Sequence, residues 1–483
     1  MSYCCSSENY LMKSKRTLHE TNWRWLALFF QSLMVIGGYY IDDIPQALQS
    51  KFQEPPFNLS NLQFNLLYSV YLFPNAILPF LGGMLIDNFG IRPMMLLFSM
   101  MIVLGQVFFT IGVDNLNYSL LILGRLAFAV GTENNSMAQS IITTKWFRNT
   151  YLTFAIGMNL LGCRSATMLN AFFTPRLAES SDSLQWPCIV GTIVCVVSFF
   201  CAMGAAWMDK KSDNYEVQSL ESTLLDLKPK EPDNVGLKDI KTLSWVFWLF
   251  AWCAGLVYAS ITAFLANAND FLVKRFGFSS TDAGSMVCLI YITTLIATPT
   301  FGAIADKTGR KLHWNIFAIG VVCIAQALFT FLPDSQEPNV WIAGVPIMLF
   351  GLGYSIFSTI FRVIIPELVE ERLIGTAFGI ATAILNSTGS VLLVIVGIVQ
   401  DKTKEHSSGY YYSELLVTCI AGCGLIIGLI INILGANYTK TLEKIPKNDK
   451  SSEVTDNEKE SGPNGSQYVE EAKSAGAGLA VLN

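Results

Sequence analysis

Apolar residues recur along this chain in runs of about twenty, each long enough to cross a ~30 Å hydrocarbon core as a helix. Twelve runs are read, at 23–44, 62–87, 92–113, 118–142, 150–173, 187–208, 244–266, 283–305, 313–333, 340–364, 374–399 and 410–437. The gap at 209–243 holds Lys210, Lys211, Lys228, Lys230, Lys238 and Lys241 with two prolines, and it divides the runs six and six. The expectation is an all-α membrane protein of twelve transmembrane helices in two pseudo-symmetric six-helix bundles. Its parts are a tail over 1–22, a first bundle over 23–208, a central loop over 209–243, a second bundle over 244–437 and a tail over 438–483. The last tail is charged, rich in Ser and Gly and without apolar periodicity, so it is expected to be disordered. Lys13, Lys15 and Arg16 precede the first run as they would in a signal peptide. That run is too long and lacks a small-residue cleavage site, so it is expected to remain as the first span.

Composition sharpens this picture. Hydrophobic residues are 52% of the 483 and charged residues 14%, against about 25% charged in soluble proteins. Lipid must replace water as solvent for most of the surface. A net charge of −5, thinly spread, excludes a nucleic-acid partner, which needs a basic patch. Nine of the eleven Cys lie inside apolar runs, there are three His, and no Cys/His spacing suits a metal, so neither metal nor other cofactor is expected. No G-x-x-x-x-G-K-[ST] signature is present, which leaves nucleotide-driven pumping and enzymatic roles unsupported.

Charge asymmetry gives orientation. With a cytosolic N-terminus, that side receives Lys13, Lys15, Arg16, Arg92, Lys145, Arg148, the six central lysines, Lys307, Arg310, Lys311 and Arg372. The other side keeps Lys51, Arg176, Lys274, Arg275, Lys402 and Lys404, so both termini are expected in the cytosol. The sequons at Asn58 and Asn117 then fall in non-cytosolic loops, whereas the one at Asn386 lies inside a span and is expected to stay unmodified.

One loop occurs twice. Between the second and third runs the chain reads Gly83-Met-Leu-Ile-Asp87-Asn-Phe-Gly90-Ile-Arg92, and between the eighth and ninth Gly302-Ala-Ile-Ala-Asp306-Lys-Thr-Gly309-Arg310-Lys311. Gly, Asp and Gly recur at a constant offset of 219 residues. A small Gly lets two helices approach, the Asp can meet a helix end or an Arg, and the second Gly permits a tight turn. These features suit a cytosolic gate built on Asp87, Arg92, Asp306 and Arg310. Twelve runs with this loop in both halves resemble the major facilitator superfamily over about 20–440, with Arg92 displaced one residue by Ile91. The resemblance implies two six-helix halves around a central cavity.

A narrower resemblance is to the lysosomal dipeptide transporters of that superfamily. It rests on Asp43-Ile-Pro45-Gln-Ala-Leu48-Gln49, Leu67-Tyr68-Ser-Val-Tyr71-Leu-Phe-Pro74-Asn75, Gly131-Thr-Glu133, Ala138-Gln139, Trp146-Phe147 and Arg164 in the first half. In the second half Phe276-Gly277-Phe278-Ser279-Ser280 and Gly375-Thr376-Ala377-Phe378-Gly379 continue it. It implies uncoupled export of small peptides from the lysosomal lumen, a lysosomal membrane location and a heavily glycosylated single-span accessory subunit.

Glu133 and Arg164 lie deep inside the fourth and fifth runs, roughly 17–21 Å from the cytosolic surface at 1.5 Å per residue. Such charges cost several kcal/mol and face a cavity or a partner. A zwitterionic peptide needs their complement, a carboxylate for its ammonium and a guanidinium that grips its carboxylate. The alternatives are an ion pair tying the two spans together, or a proton site at Glu133. In that last case the chain would be a proton-coupled symporter of organic anions such as monocarboxylates. A non-transporting scaffold gives no reason for two costly charges. Tyr40, Tyr71, Asn75 and Tyr258, on spans that line the cavity in this superfamily, are further binding candidates, with helix–helix hydrogen bonding as their alternative role. Arg362 is expected to reach the interface or pair with Glu367; turned inward, it would move preference toward acidic peptides or other anions.

Overall fold

The computed structural model describes residues 22–147, 151–220, 243–308, 310–335, 337–369, 373–404 and 409–434. The C-terminal tail, all but Asn22 of the N-terminal one, and residues 221–242 of the expected central loop lie outside the described residues. Among the described residues every element is helical and none is a strand. In chain order these are α1 (Trp23–Leu33), α2 (Ile36–Asp42), α3 (Ile44–Ala47), α4 (Gln49–Gln53), α5 (Asn61–Leu72), α6 (Leu78–Phe89), α7 (Ile91–Asp114) and α8 (Tyr118–Phe147). They continue as α9 (Leu152–Ser180), α10 (Gln185–Leu220), α11 (Trp245–Phe276), α12 (Ser280–Thr308), α13 (Lys311–Phe331), α14 (Val340–Leu368), α15 (Ile374–Lys402) and α16 (Tyr410–Leu434).

These elements make twelve transmembrane helices. Nine described segments are long and apolar enough to cross a membrane, the first combining α1 with α2, and the bent pair α5–α6 makes ten. Helices α8 and α9, 30 and 29 residues long, complete the set although they are too polar to qualify by hydropathy. The 49° bend between α5 and α6 falls where Pro74 opens a short 3-10 turn, Pro74–Ala76, because proline lacks the N–H that would continue the helix. Helix α10 runs twelve residues past its apolar run, where a loop is expected from 209. Its extension is held by charge: Asp209 and Asp213 both meet Arg92 at the start of α7 and Lys145 near the end of α8.

Packing follows from small residues and aromatics. A Cβ on Gly105 would lie 2.7 Å from the Phe128 backbone nitrogen, so α7 and α8 meet backbone to backbone, as helices in lipid do when small residues line their contact. The core of α11–α16 centres on Phe264, whose ring lies 4.6 Å from those of Phe329 and Phe350. Outward faces stay apolar, with Trp341 83% and Ile433 73% exposed, a cost in water that lipid removes.

Helices α5 and α15 run antiparallel, as do α9 and α12, and with α3–α4 against α11 they join the first half to the second. Asp401 accepts hydrogen bonds from Asn61 N, Asn61 Nδ2 and Leu62 N at 2.9–3.1 Å. Asn267 bonds Asn65 at 3.0 Å and Gln49 at 2.9 Å. Ser69 and Ser390 each donate to the other's carbonyl, and Asn386 Nδ2 donates to the Asn75 carbonyl. Arg176 reaches Ser285 at 2.7 Å, and the Cys288 thiol the Met168 carbonyl. All of these lie between mid-helix and the end of the molecule bearing Asn61 and Asp401, the seam end. The antiparallel pairings bring the repeated loops together at the opposite, loop end, where no hydrogen bond joins the halves among the described residues.

Candidate functional site

Helix α8 is the scaffold of the site. Its N-terminus is capped by the Asn117 carboxamide oxygen, which accepts from Ser119 N and Leu120 N, so one sequon residue is also a helix cap. Exposed Asn58 lies at the same seam end, whereas Asn386 is buried. Along α8 a polar stripe faces the first and fifth spans. Asn135 donates to the Met34 carbonyl at the break between α1 and α2 (3.2 Å), Gln139 to the Gln31 carbonyl (2.7 Å), and Thr143 to Gln31 Oε1 (3.0 Å). Asn159 of α9 completes this ladder through Thr143 and Ser32. The bonds fix the rotation of α8 and α9 and hence where Glu133 and Arg164 point.

Those two residues do not pair with each other: among the described residues no ion pair joins them. Arg164 Nη1 donates to the Tyr354 hydroxyl at 2.9 Å, with its guanidinium 4.9 Å from that ring, so it reaches across to α14 in the second half. Glu133 is half-buried on α8. At 1.5 Å per residue, Glu133 is about 21 Å from the end of α8 and Arg164 about 18 Å from the start of α9. An anion and a cation thus stand at a similar depth, and Arg164 is turned to the Tyr354 hydroxyl rather than to Glu133.

A second charged pair escapes the sequence reading. Arg125, 3% exposed, bonds Asp42 at 3.4 Å and donates to the Leu67 and Asp42 carbonyls. Its guanidinium lies 4.8–5.3 Å from the rings of Tyr68, Tyr71 and Phe128. Next to it Asp43 accepts from the Tyr291 hydroxyl of α12 at 3.0 Å, a further bridge between halves. Arg125 lies seven residues inside an apolar run, and that position was a sufficient signal for a buried charge.

The other candidates divide. Tyr71 donates through its hydroxyl to Asp42 at 3.5 Å, and Tyr258 is half-buried on α11. Tyr40 instead packs in the first half, hydroxyl against Thr174 at 3.4 Å. Asn75 is fully buried at the α5–α6 break, its side-chain nitrogen and oxygen both without a hydrogen-bond partner. Asp87 lies in α6 and Asp306 in α12, but their side chains fall outside the described residues. Gly90 has φ +86°, the left-handed turn expected of it. Arg92 binds α10, inside its own half, and Arg310 is exposed before α13. Of the two roles expected for Arg362, the pairing with Glu367 is not formed, since Lys311 takes that carboxylate, and Arg362 is exposed on α14.

Residues 20–394 match the family model of the Major Facilitator Superfamily. The chain belongs to that superfamily. It is 27% identical over 409 residues to a human (Homo sapiens) protein named lysosomal dipeptide transporter MFSD1, covering 82% of this chain and 83% of that one. Among solved structures it resembles a mutant form of the nucleoside transporter NupG, with a TM-score of 0.67, 11% identity and coverage of 84% and 99%. It also resembles a bacterial homologue of the human lysosomal transporter Spinster, inward-facing and unoccupied, with a TM-score of 0.64, 15% identity and coverage of 88% and 99%. Family and fold are those of membrane transporters, not of enzymes. In a superfamily whose substrates bind near mid-membrane between the halves, the Glu133, Arg164 and Tyr354 constellation occupies the expected depth.

Proposed function

We propose that this transporter carries small peptides, dipeptides foremost, out of a lysosomal lumen into the cytosol by alternating access, as a uniporter, with its loop end and both termini cytosolic. The observation that carries the reading is the separation of Glu133 from Arg164 at one depth. A carboxylate and a guanidinium apart from each other complement a zwitterion, whereas a structural pair would have closed on itself. Glu133 holds the peptide ammonium and Arg164 its carboxylate, with Tyr71 and Tyr258 as walls. The cytosolic placement of the loop end is supported by the Lys/Arg asymmetry, and the lysosomal setting by the name of the human relative. Asp87, Asp306 and Arg310 serve the gate, and Arg92 braces the first half beside it.

Counterflow into proteoliposomes tests this. Removing either charge leaves a ligand end unpaired and should cost about 2–5 kcal/mol, roughly 30-fold or more in affinity. N-acetylation of the peptide should be nearly silent in Glu133→Gln, and C-amidation nearly silent in Arg164→Gln. Gradient-driven uptake of lactate without uptake of dipeptide would defeat the peptide reading and establish proton-coupled anion transport in its place.

A further inference from the structure

We propose that the chain carries an N-linked glycan on Asn58 and none on Asn117, although both residues head a sequon at the seam end. This rests on the reading that the seam end faces the lumen, the side on which such sugars are attached.

The two acceptors stand beside one open cleft of about 360 Å³. Lys51, Glu54 and Phe57 border it before α5, Asp114 and Leu116 after α7, and Asp182 after α9. Phe57 and Leu116 immediately precede the two sequons. Asn58 and Asn117 are both exposed, so exposure does not separate them, but their bonding does. The Asn117 carboxamide oxygen accepts from Ser119 N at 3.0 Å and Leu120 N at 3.3 Å, and capping α8 accounts for this Asn. The Asn58 carboxamide makes no hydrogen bond among the described residues. Its backbone has φ +50° and is fixed on both sides, by Asn58 N to the Glu54 carbonyl at 3.1 Å and Leu59 N to the Phe52 carbonyl at 3.0 Å. The exposed side chain therefore has no part in holding the loop.

Reach decides between them. The sugar is added to the growing chain, before the following helix is made, so the preceding span sets how far a sequon extends from the bilayer. Asn58 follows the end of α2 at Asp42 by sixteen residues, about 53–58 Å of extended chain. Asn117 follows the end of α7 at Asp114 by three, about 10 Å. Asn58 Nδ2 then attacks the anomeric carbon of a lipid-linked oligosaccharide. The C–N bond forms, the bond from that carbon to the diphosphate oxygen breaks, the lipid diphosphate leaves and Nδ2 gives up one proton. Ser60 completes the recognised triplet. In the folded chain Ser60 caps α5 by accepting from Gln63 N at 3.1 Å, and the sugar lies in solvent beside the cleft.

The full chain, tagged at its C-terminus and made in cells that glycosylate, should show a single step in apparent mass. An amidase that cleaves the Asn–sugar bond should remove the step and leave its Asn-to-Asp mass change at position 58. Asn58→Asp, which suits a left-handed turn as Asn does, and Ser60→Asp, which keeps a good cap for α5, should each abolish the step. Ser60→Thr should keep it, and Asn117→Asp, which keeps the cap of α8, should leave it unchanged. A step that survives Asn58→Asp, or one lost with Asn117→Asp, overturns the proposal. Should Asn58→Asp fail to accumulate, Ser60→Asp against Ser60→Thr still decides. Antibody access to the tag after selective permeabilisation of the plasma membrane keeps the two readings apart. With the tag in the cytosol, absence of the step overturns the glycan alone, whereas a tag sealed in the lumen overturns the orientation itself.

Discussion

The two ends of the molecule are held by different chemistry. At the seam end the halves meet chiefly through neutral amides and hydroxyls: Asn65, Asn267, Gln49, Ser69, Ser390, Asn75 and Asn386, with Asp401 as the main carboxylate. At the loop end the strong contacts stay within one half, as Arg92 and Lys145 bind Asp209 and Asp213, and Lys311 binds Glu367. Neutral hydrogen bonds contribute about 0.5–1.5 kcal/mol each, and those to charged groups about 1.5–3. Under the proposed alternating access, the contacts that would part at the seam end are mostly neutral, with Asp401, Asp43 and Arg176 as the charged members, and those that would persist at the loop end are ion pairs. The difference sorts the polar residues into those that move apart and those that travel together.

Mutations can break this division. The largest effect is expected from Arg125→Leu, which strands Asp42 in the interior of the first half. It should cost about 3–5 kcal/mol, seen as a lower melting temperature in detergent, with Asp42→Asn recovering much of the loss. An unchanged melting temperature would remove Arg125 from the permanent contacts. Asp209→Asn comes next, at about 2 kcal/mol of stability, and should leave the balance between transport states where it was. Asp401→Asn should do the reverse: a shift of about 1–2 kcal/mol toward the state open at the seam end, with little change in melting. Spin-label distances across the loop end measure that balance, and shortening marks the shift. The smallest effect belongs to Ser69→Ala, about 0.5–1 kcal/mol in the same direction. If Asp209→Asn moved the distances while Asp401→Asn did not, the sorting would be inverted.

How much of this was legible in the sequence depends on which physical rule governs each residue. Hydropathy locates the spans because lipid imposes one length on every helix, and the apolar runs agree with the helices to within a few residues at most ends. Hydropathy fails where helices outlast the bilayer. The last turns of α11, from Asn267 to Phe276, continue helically beyond the expected end at 266, and they carry Asn267 and Lys274, which meet Gln49 and Gln53 of the first half. Glu133 and Arg164 were legible because isolated charges in apolar runs are costly. The same rule applied to Arg125, whose partner Asp42 sits at the end of α2. Tyr354 was not legible, since one hydroxyl among many aromatics becomes distinctive only when the second half brings it to Arg164. That Glu367 pairs with Lys311 and leaves Arg362 exposed is a choice between partners that spacing alone does not settle.

The start of α5 carries a consequence for water. Its backbone N–H groups are shared between two owners: Ser60 caps Gln63 N from the same half, in a capping box, while Asp401 of the other half takes Asn61 N and Leu62 N. Were the halves to part at this end, as the proposed alternating access requires, the helix would keep its own cap and lose the borrowed one. The two released N–H groups, and the carboxylate that held them, must then be hydrated, since bare polar groups in a dry crevice are too costly to persist. Opening the seam is therefore also a wetting step, with a net uptake of solvent. Osmolytes excluded from such a crevice should hold it shut, so the rate at which substrate gains access from that side becomes a function of water activity as well as of ligand concentration.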